Sequence, residues 1–231
     1  MQAAVVSDIH GNLPALEAVL EDIPDTVDRI WCLGDIVGYN PWPSECVTLV
    51  RERADVVVQG NHDRRVGSRS DSLEDLSNSA QKSVTWVNEQ LGTENKPFLA
   101  DLPEQKMVGN GRVLLTHSDP RRVDGYVFPA EFRNLNRFLD DRSELRVLAL
   151  GHTHISHVEL VEETLVMNPG SVGQPRDGDP RASYAVVDLS TDPDGTNVEM
   201  RRVEYDVDSV IDRIQSVGLP SEFGERLRTG T

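Results

Sequence analysis

The amino-acid sequence predicts an α/β fold with helices packed on a sheet, followed by a second and largely antiparallel sheet. The first observation is that apolar strands alternate with loops and helices over residues 1–61, which is typical of helix-covered sheets. The second is that four short apolar runs, with turn residues between them, follow one another over residues 157–205. Consecutive strands of this kind favour antiparallel pairing.

The first part of the chain contains three predicted strands and two predicted helices. The run AAVVSD is the first strand, and it precedes a helix over 13–23 for which Asn12 is a suitable N-cap, with Pro14 in the first turn. RIWC and ADVVV predict the second and third strands, and Pro43 and Ser44 open the helix between them. Each of these strands runs into a loop that contains glycine.

The middle of the chain is more polar, and its elements are less regular. Helical spacing predicts a helix over 72–91 and a short one bounded by Pro97, so residues 72–100 are expected to form a helical insertion. Strands are predicted within RVLLTHS and RVLALGHTH, with a helix over 129–141 between them. A helix over 206–218 follows the last strands, and the final dozen residues are expected to fray.

Composition indicates a soluble globular protein in which residues 1–231 form a single domain with a short C-terminal tail. Hydrophobic residues make up 38% of the chain, which is enough to bury a core. No apolar run approaches the roughly 18 residues that span a bilayer, and the N-terminus lacks the features of a secretory signal. Cys32 and Cys46 are too few for a disulfide framework. We therefore expect a cytoplasmic protein without a membrane interaction.

The charge balance is strongly negative. Asp and Glu number 39 against 23 Lys and Arg, which gives a formal net charge of −16. A field of this sign repels a phosphate backbone and disfavours general nucleic-acid binding. Lysine occurs only at Lys82, Lys96 and Lys106. Acid-rich, lysine-poor composition is expected of a halophilic protein, because concentrated salt screens self-repulsion; an acidic protein from a high-GC genome is the alternative.

Polar side chains cluster where the predicted strands end, and five of the six histidines lie there. Ligand sites in open α/β sheets form outside the carboxyl ends of strands, where loops converge. The candidate metal ligands at these positions are Asp8, His10, Asp35, Asn61, His117, His152 and His154. Carboxylate, imidazole and amide donors without a thiolate suit Mn, Fe, Ni, Zn or Mg. Seven candidates are too many for one ion but suit two ions that share a carboxylate.

Five motifs identify the chain with a known family. DIH, GDIVGY, GNHD, THS and GHTH occur in the order found in the calcineurin-like metallophosphoesterase superfamily, which the chain resembles from Ser7 to about Asp177. GDIVGYNPWP and MNPGSVGQPRDG are similar to the small single-domain prokaryotic phosphodiesterase branch. The resemblance implies a four-layer αββα sandwich in which two mixed β-sheets are flanked by helices.

The resemblance also implies a ligand set and an activity. One divalent ion would be held by Asp8, His10, Asp35 and His154. The other would be held by Asp35, Asn61, His117 and His152, so that Asp35 bridges the two ions. Mn²⁺ is the expected metal. The implied reaction is hydrolysis of a phosphate ester by attack of a metal-bridging hydroxide, which exists near neutral pH because the ions lower the pKa of water.

Five further residues are candidates for contact with the substrate. His62 follows a candidate ligand and is suited to donate a proton to the leaving oxygen or to stabilise the transition state, with a purely structural hydrogen bond as the alternative. Arg64, Arg121 and Arg176 are candidate phosphate-binding residues, because a guanidinium group matches phosphate geometry. Trp42 is a candidate for stacking on a base or aromatic leaving group, with a role as a loop anchor as the alternative.

Two positions depart from patterns of the superfamily. Its protein Ser/Thr phosphatases carry an Asp three residues after the bridging Asp, where this chain has Gly38. The loop that is often HGSP in the family is HSDP here, which places Asp119 near the expected metal centre. The first departure argues against a protein phosphatase, and the second adds a carboxylate.

A small phosphate ester or nucleotide is the expected substrate. The alternatives are a serine/threonine protein phosphatase or a dinucleoside polyphosphate hydrolase, which turnover of a phosphopeptide and of diadenosine tetraphosphate would separate. A non-catalytic scaffold, the role of one retromer subunit in this superfamily, is disfavoured because every candidate ligand position and His62 are intact. The sequence leaves open whether the chain forms a homo-oligomer.

The charge balance generates a first prediction. If the composition is an adaptation to salt, removing KCl will lower the midpoint of thermal unfolding, because a net charge of −16 is then left unscreened. Circular dichroism across a series of KCl concentrations measures this. An unfolding temperature that does not change with KCl would contradict the halophilic interpretation.

Overall fold

Ten strands form two five-stranded mixed sheets in the computed structural model, which describes residues 1–67, 77–189 and 195–231. Sheet one has the strand order β10-β9-β1-β2-β3, and sheet two has the order β4-β5-β6-β8-β7. The strands are β1 (Gln2–Val6), β2 (Arg29–Cys32), β3 (Val56–Val57), β4 (Gln105–Val108), β5 (Val113–Thr116), β6 (Val147–Ala149), β7 (His157–Val161), β8 (Thr164–Asn168), β9 (Ala182–Asp188) and β10 (Asn197–Val203).

Helices lie between the strands and at the C-terminus. They are α1 (Leu13–Asp22), α2 (Pro43–Arg53), α3 (Asn61–Gly67), α4 (Asn78–Gln90), α5 (Asn95–Ala100), α6 (Asn136–Asp140), α7 (Val207–Ser216) and α8 (Ser221–Thr229), with a 3₁₀ helix at Pro129–Leu135. As predicted, the Asn12 side chain caps α1 by accepting a hydrogen bond from the Ala15 amide. None of the described helices is long and apolar enough to cross a membrane.

Parallel pairing brings three strand ends to one edge of each sheet. In sheet one, β1 pairs with β2 and β2 with β3, all parallel, while β9 and β10 are antiparallel. In sheet two, β5 pairs with β6 and β6 with β8, again parallel, while β4 and β7 are antiparallel edge strands. The loops that follow β1, β2, β5 and β6 carry six of the predicted metal ligands, and the seventh, Asn61, is the first residue of α3 after β3.

The alternation of side chains along each strand builds the layers. On β1, Ala3 and Val5 face the core between the two sheets, whereas Ala4 and Val6 face the helices. The core between the sheets contains buried residues from both, among them Leu33, Val58, Val113, Leu115, Val147, Ala149, Met167, Ala185 and Val187.

Helices cover the two outer faces of the sheet pair. Helices α1, α2, α4 and α5 pack on sheet one through a cluster that includes Leu16, Val19, Val47, Val84, Val87 and Leu99. The 3₁₀ helix and α6 pack on sheet two through Phe132, Leu135 and Leu139. The order helix, sheet, sheet, helix confirms the predicted four-layer αββα sandwich with two mixed sheets.

The prediction that the last four strands form one antiparallel sheet is wrong. Strands β7 and β8 belong to sheet two, and β9 and β10 belong to sheet one, so the chain crosses between the sheets after β8. Within each pair the strands are antiparallel, as predicted. Local patterning cannot distinguish these arrangements, because apolar strands of this kind fit the inner faces of both sheets equally well.

Several predicted elements have different boundaries. Residues 72–76 of the predicted helix over 72–91 lie outside the described residues, and α4 begins after the capping side chain of Ser77. The predicted helix over 129–141 starts as a 3₁₀ helix and becomes α-helical only at Asn136. Strand β4 was not predicted, and its exposed edge position explains the weak apolar signal of QKMV.

The C-terminal residues are helical and packed, which corrects the expectation of a frayed tail. Phe223 and Leu227 are buried on one face of α8 and join a cluster with Val210 and Ile214 of α7. The Gly230 carbonyl accepts a hydrogen bond from the Gly178 amide, which ties the C-terminus to the loop before β9. The apolar side chains four residues apart give α8 an amphipathic face, and that face finds a partner in α7.

This packing predicts that the C-terminus contributes to stability. Phe223→Ala should lower the free energy of unfolding by about 3 kcal/mol, because it removes a buried aromatic ring and leaves a cavity. Glu225→Ala, an exposed position on the same helix, should leave it nearly unchanged. Urea unfolding monitored by circular dichroism measures both free energies of unfolding. Equal values for the two variants would contradict the packing of α8 and support a frayed C-terminus.

Candidate metal centre

The loops after the parallel strands bring the predicted metal ligands to one place between the two sheets. Three groups of three titratable side chains have ligand atoms within 4.8 Å of one another: Asp8 with His10 and His154, His10 with Asp35 and His62, and Asp35 with His117 and His152. All of these side chains are buried. Because the groups share His10 and Asp35, they form one continuous cluster.

The first half of the cluster centres on Asp8. Its Oδ1 atom lies 3.2 Å from His154 Nε2 and 3.8 Å from His10 Nε2. The Nε2 atoms of the two histidines are 3.1 Å apart. Ligands of one ion that each bind at about 2.0–2.2 Å lie at separations of this size. These three side chains can therefore converge on a common cation.

The second half of the cluster centres on His117. Its Nε2 atom lies 3.3 Å from Asp35 Oδ2 and 3.2 Å from Asn61 Oδ1. The same Oδ2 atom of Asp35 is 3.7 Å from His10 Nε2 in the first half. Asp35 is thus the carboxylate that both halves share.

Backbone carbonyl groups orient three of the histidines. The Nδ1 atom of His10 is 3.1 Å from the Val37 carbonyl, that of His117 is 2.9 Å from Leu33, and that of His154 is 2.6 Å from Gln174. A carbonyl oxygen can only accept, so each Nδ1 carries a proton and each Nε2 is the ring atom directed into the cluster. Partners of this kind fix the tautomer and ring orientation of metal-binding histidines.

The two carboxylates are also held by hydrogen bonds on one oxygen only. Asp8 Oδ2 accepts from the Ser7 hydroxyl at 2.6 Å and from the His152 amide at 3.1 Å. Asp35 Oδ1 accepts from the His62 amide at 2.8 Å. In both cases the other oxygen faces the cluster and remains available for a cation.

The ligand loops adopt strained backbone conformations. Asp8, His10, Asp35, His152 and His154 all have positive φ angles, between 50° and 70°. Such left-handed conformations are uncommon for residues with a side chain and cost of order 1–3 kcal/mol each. The surrounding hydrogen bonds and packing compensate for this strain. The left-handed conformations direct the side chains into the cluster.

The two carboxylates of the cluster are held in their ionised form, which favours binding of a cation. Burial opposes ionisation of both carboxyl groups, yet His154 holds the pKa of Asp8, and His117 that of Asp35, below the ordinary value. Burial lowers the pKa of His152 to about 4. Burial also opposes charge on His117, but the attraction of Asp35 raises its pKa to about 10.

The donor set fits divalent metal ions. It combines buried carboxylates, imidazoles and an amide oxygen, and no cysteine belongs to the groups found among the described residues. Asp8 Oδ1 and His152 Nε2 are buried without a hydrogen-bond partner among the described residues. Unpartnered buried polar atoms are costly unless something binds them, and a divalent cation would satisfy both of these atoms.

His62 belongs to the group with His10 and Asp35, and Gly38 lies against its ring. The His62 ring packs edge-on against His10 with centroids 4.9 Å apart, and its Nδ1 atom is buried without a partner among the described residues. A Cβ atom at Gly38 would approach this Nδ1 to 2.7 Å, and Gly38 has a φ of +117°. An Asp at this position would require His62 to move, and no carboxylate among the described residues accepts a hydrogen bond from His62 Nδ1.

Two of the three predicted phosphate-binding arginines lie near the cluster. The Arg176 amide donates to the His154 carbonyl, and its guanidinium approaches the Tyr39 hydroxyl at 3.5 Å. Arg64 forms an ion pair with Asp124 and lines a small cavity together with His117.

Protein groups occupy the guanidinium of the third arginine, Arg121, and its role as a phosphate ligand stays a prediction. Arg121 forms a bidentate ion pair with Asp119 at 2.8 and 2.9 Å and donates to the Asn134 carbonyl. Asp119, expected to add a carboxylate at the metal centre, is instead neutralised by this pair. Both residues stabilise their own loop.

Asp63, to which no sequence pattern gave a role, organises the ligand loops. Its Oδ1 atom accepts hydrogen bonds from the amides of Ile36 and Val37, and Oδ2 accepts from the Gly60 amide. These bonds join the loop after β2 to the start of α3. Burial, reinforced by Asp35, raises the pKa of Asp63 to about 7. The position of Asp63 directly after the GNH motif is the sequence feature that could have pointed to this role.

Two tyrosines that sequence patterns did not single out contact opposite halves of the cluster. The Tyr39 ring lies 4.6 Å from the His10 ring and 4.8 Å from the His62 ring. The Tyr126 ring stacks on His152 at 3.9 Å. Trp42, the sequence candidate for stacking, instead packs against the cores around α1 and α7 as an anchor.

Comparisons with known proteins agree with this geometry. A family model described as the calcineurin-like phosphoesterase superfamily domain matches residues 1–192. The protein MJ0912 of Methanocaldococcus jannaschii is 36% identical over 248 residues, covering 98% of this chain and 97% of that protein. The phosphodiesterase YfcE of Escherichia coli is 30% identical over 195 residues, covering 81% of this chain and 88% of YfcE.

A solved structure agrees over the full length of the chain. The crystal structure of a metallophosphoesterase from Sphaerobacter thermophilus has a TM-score of 0.80 and 35% sequence identity, and the match covers 100% of this chain and 99% of that one. The resemblance carried by the five motifs is thereby confirmed. The chain belongs to the calcineurin-like phosphoesterase superfamily and is a metal-binding phosphoric ester hydrolase.

Proposed function

We propose that this protein is a dinuclear metal-dependent phosphodiesterase that hydrolyses a small phosphate ester or nucleotide. The observation that carries the proposal is the position of Asp35, whose Oδ2 atom lies 3.3 Å from His117 Nε2 and 3.7 Å from His10 Nε2. A carboxylate with ligands on both sides is the arrangement that two neighbouring ions require.

The two halves of the cluster would each hold one divalent ion. The ligands of one ion would be Asp8, His10, Asp35 and His154. Those of the other would be Asp35, Asn61, His117 and His152. Bound ions would lower the pKa of a water molecule and neutralise the charge of the phosphate group. We infer Mn²⁺ from the mixed nitrogen and oxygen donors, and Fe, Ni, Zn or Mg would also suit them.

Residues around the ions would bind the phosphate and protonate the leaving group. Arg176, which lies beside Tyr39, is suited to bind a phosphate oxygen. Arg64 could bind another phosphate oxygen if it exchanged its ion-pair partner Asp124 for the phosphate. His62 is buried next to Asp35 and His10 without occupying either carboxylate oxygen that faces the cluster. We infer that His62 donates a proton to the leaving oxygen.

Diester hydrolysis is favoured over protein phosphatase activity. The relative YfcE is named as a phosphodiesterase and matches most of the chain. Gly38 stands where protein phosphatases of the superfamily carry an Asp, and a side chain there would require His62 to move. Dinucleoside polyphosphates remain an alternative substrate class of the same site.

We further infer a single domain and a cytoplasmic location. Strands β9 and β10 complete sheet one, and α7 and α8 pack next to α2 and α4 around Trp42 and Trp86, so the C-terminal elements share the core of the N-terminal ones. Cys32 and Cys46 are buried free thiols, which suits a reducing compartment.

The shared carboxylate gives the direct test of the proposed function. Asp35→Asn should lower kcat for Mn²⁺-dependent hydrolysis of bis-p-nitrophenyl phosphate by far more than tenfold, because it removes the charge that both ions share. Asp25→Asn, the same change at an exposed position, should retain wild-type activity. Metal content and steady-state rates are measured on both. Retention of more than about a tenth of kcat in Asp35→Asn would overturn the bridging assignment.

A second test addresses His62. If it protonates the leaving oxygen, His62→Ala should bind two metal ions per chain with near-normal affinity and yet lose activity. The loss should be about 10²–10⁴-fold for an alkyl ester, whose basic leaving oxygen needs a proton, and much smaller for a p-nitrophenyl ester. The control is His157→Ala, the histidine that lies on β7 outside the cluster.

The outcomes of this test are distinct. Equal losses for alkyl and aryl esters would assign His62 to stabilisation of transition-state charge. A fall in metal content would make His62 a ligand, as its position in the group with His10 and Asp35 geometrically allows. Either result would remove the proton-donor role.

A further inference from the structure

Two half-exposed aromatic side chains project from the loop that borders the metal centre. Tyr126 is 48% exposed and Phe128 is 43% exposed, although Val127 between them is buried in the core of sheet two. Neither aromatic ring belongs to a packed hydrophobic cluster of the described residues. Val127 therefore anchors the loop, and its two neighbours face outward.

These rings continue outward from a candidate metal ligand. Tyr126 stacks on His152 with centroids 3.9 Å apart and an interplanar angle of 22°. Phe128 lies nearly parallel to Tyr126, with centroids 5.7 Å apart and an angle of 9°. We call His152, Tyr126 and Phe128 the aromatic ladder. It leads from the cluster to the surface.

The loop that presents the ladder is held in a defined conformation. The Asp119 amide donates to the Gly125 carbonyl at 2.8 Å, and the Asp124 amide donates to the Ser118 hydroxyl at 3.1 Å. The Asp124 side chain also pairs with Arg64 of α3. The exposed rings are thus pre-organised, which reduces the entropy lost when a ligand binds them.

The ladder adjoins the predicted phosphate site, because Tyr126 stacks on the candidate metal ligand His152. Arg176 in turn contacts Tyr39 on the other half of the cluster. The ladder thus borders the cluster on the side of His152, while Tyr39 and Arg176 border it on the side of His10.

We propose that the aromatic ladder binds the nucleobase of a nucleotide substrate whose phosphate lies at the metal centre. The inference rests on the proposed function and narrows its substrate class. Bases stack on aromatic side chains with about 1–3 kcal/mol per base, largely independent of their identity. Tyr126 by itself is enough to pack against His152. The parallel ring of Phe128 therefore provides aromatic surface that this packing does not use.

The test compares binding of AMP with binding of ribose 5-phosphate to the full chain in the presence of Mn²⁺, by isothermal titration calorimetry. The wild type should bind AMP about tenfold more tightly, as stacking of one base predicts. Tyr126→Ala should reduce this preference to about one to twofold while leaving the affinity for ribose 5-phosphate unchanged. Tyr126→Phe should retain the preference, since it keeps the ring.

Leu160→Ala is the control, because Leu160 is an exposed apolar residue on β7, the edge strand of sheet two. It should preserve the tenfold preference. Equal affinity of the wild type for the two ligands would overturn the proposal. Weaker binding of both ligands to Tyr126→Ala, in equal measure, would also overturn it and would assign Tyr126 to the support of His152.

The comparison also separates this inference from the proposed function. Failure of the wild type to bind Mn²⁺ or to hydrolyse phosphate esters would contradict the proposed function, whatever the base preference is. Normal hydrolysis of bis-p-nitrophenyl phosphate together with no preference for AMP would contradict the ladder alone.

Discussion

Asp35 joins the two halves of the metal centre, and much of the surrounding architecture serves to hold its buried carboxylate. Burying a charge costs several kcal/mol unless opposite charge and hydrogen bonds compensate. Here one oxygen accepts from the His62 amide, and the other faces His10 and His117. His10 follows a strand of sheet one and His117 follows a strand of sheet two, so the packing of the two sheets sets the distance between the halves.

The loops around this carboxylate combine strain with close packing. The left-handed backbone of Asp8 and Asp35 is stable only because neighbouring loops hold it. Gly173 shows how tight the contact is, since a Cβ atom there would lie 1.8 Å from the Ile9 carbonyl oxygen. The Gly173 carbonyl also accepts a hydrogen bond from the Asn12 side chain. The ligands are consequently pre-organised before any ion binds, as electrostatic catalysis requires.

The residues that flank the two halves of the cluster differ in chemistry. Tyr39 and Arg176 offer a hydroxyl and a cation on the side of His10, whereas Tyr126 and Phe128 offer apolar rings on the side of His152. This asymmetry suits a substrate with a charged end and a planar end. Discrimination among phosphate esters would then depend on loops outside the five motifs.

The sequence by itself determined the α/β class and the family, and it predicted the metal ligands, because strand patterns and short motifs are local. The tertiary structure decided which sheet β7 to β10 join, that α8 packs on α7, and that Arg121 pairs with Asp119. It also brought Tyr126 onto His152. These outcomes depend on contacts between residues distant in the chain, and apolar strands, arginines and tyrosines carry no local signal that selects one partner among several.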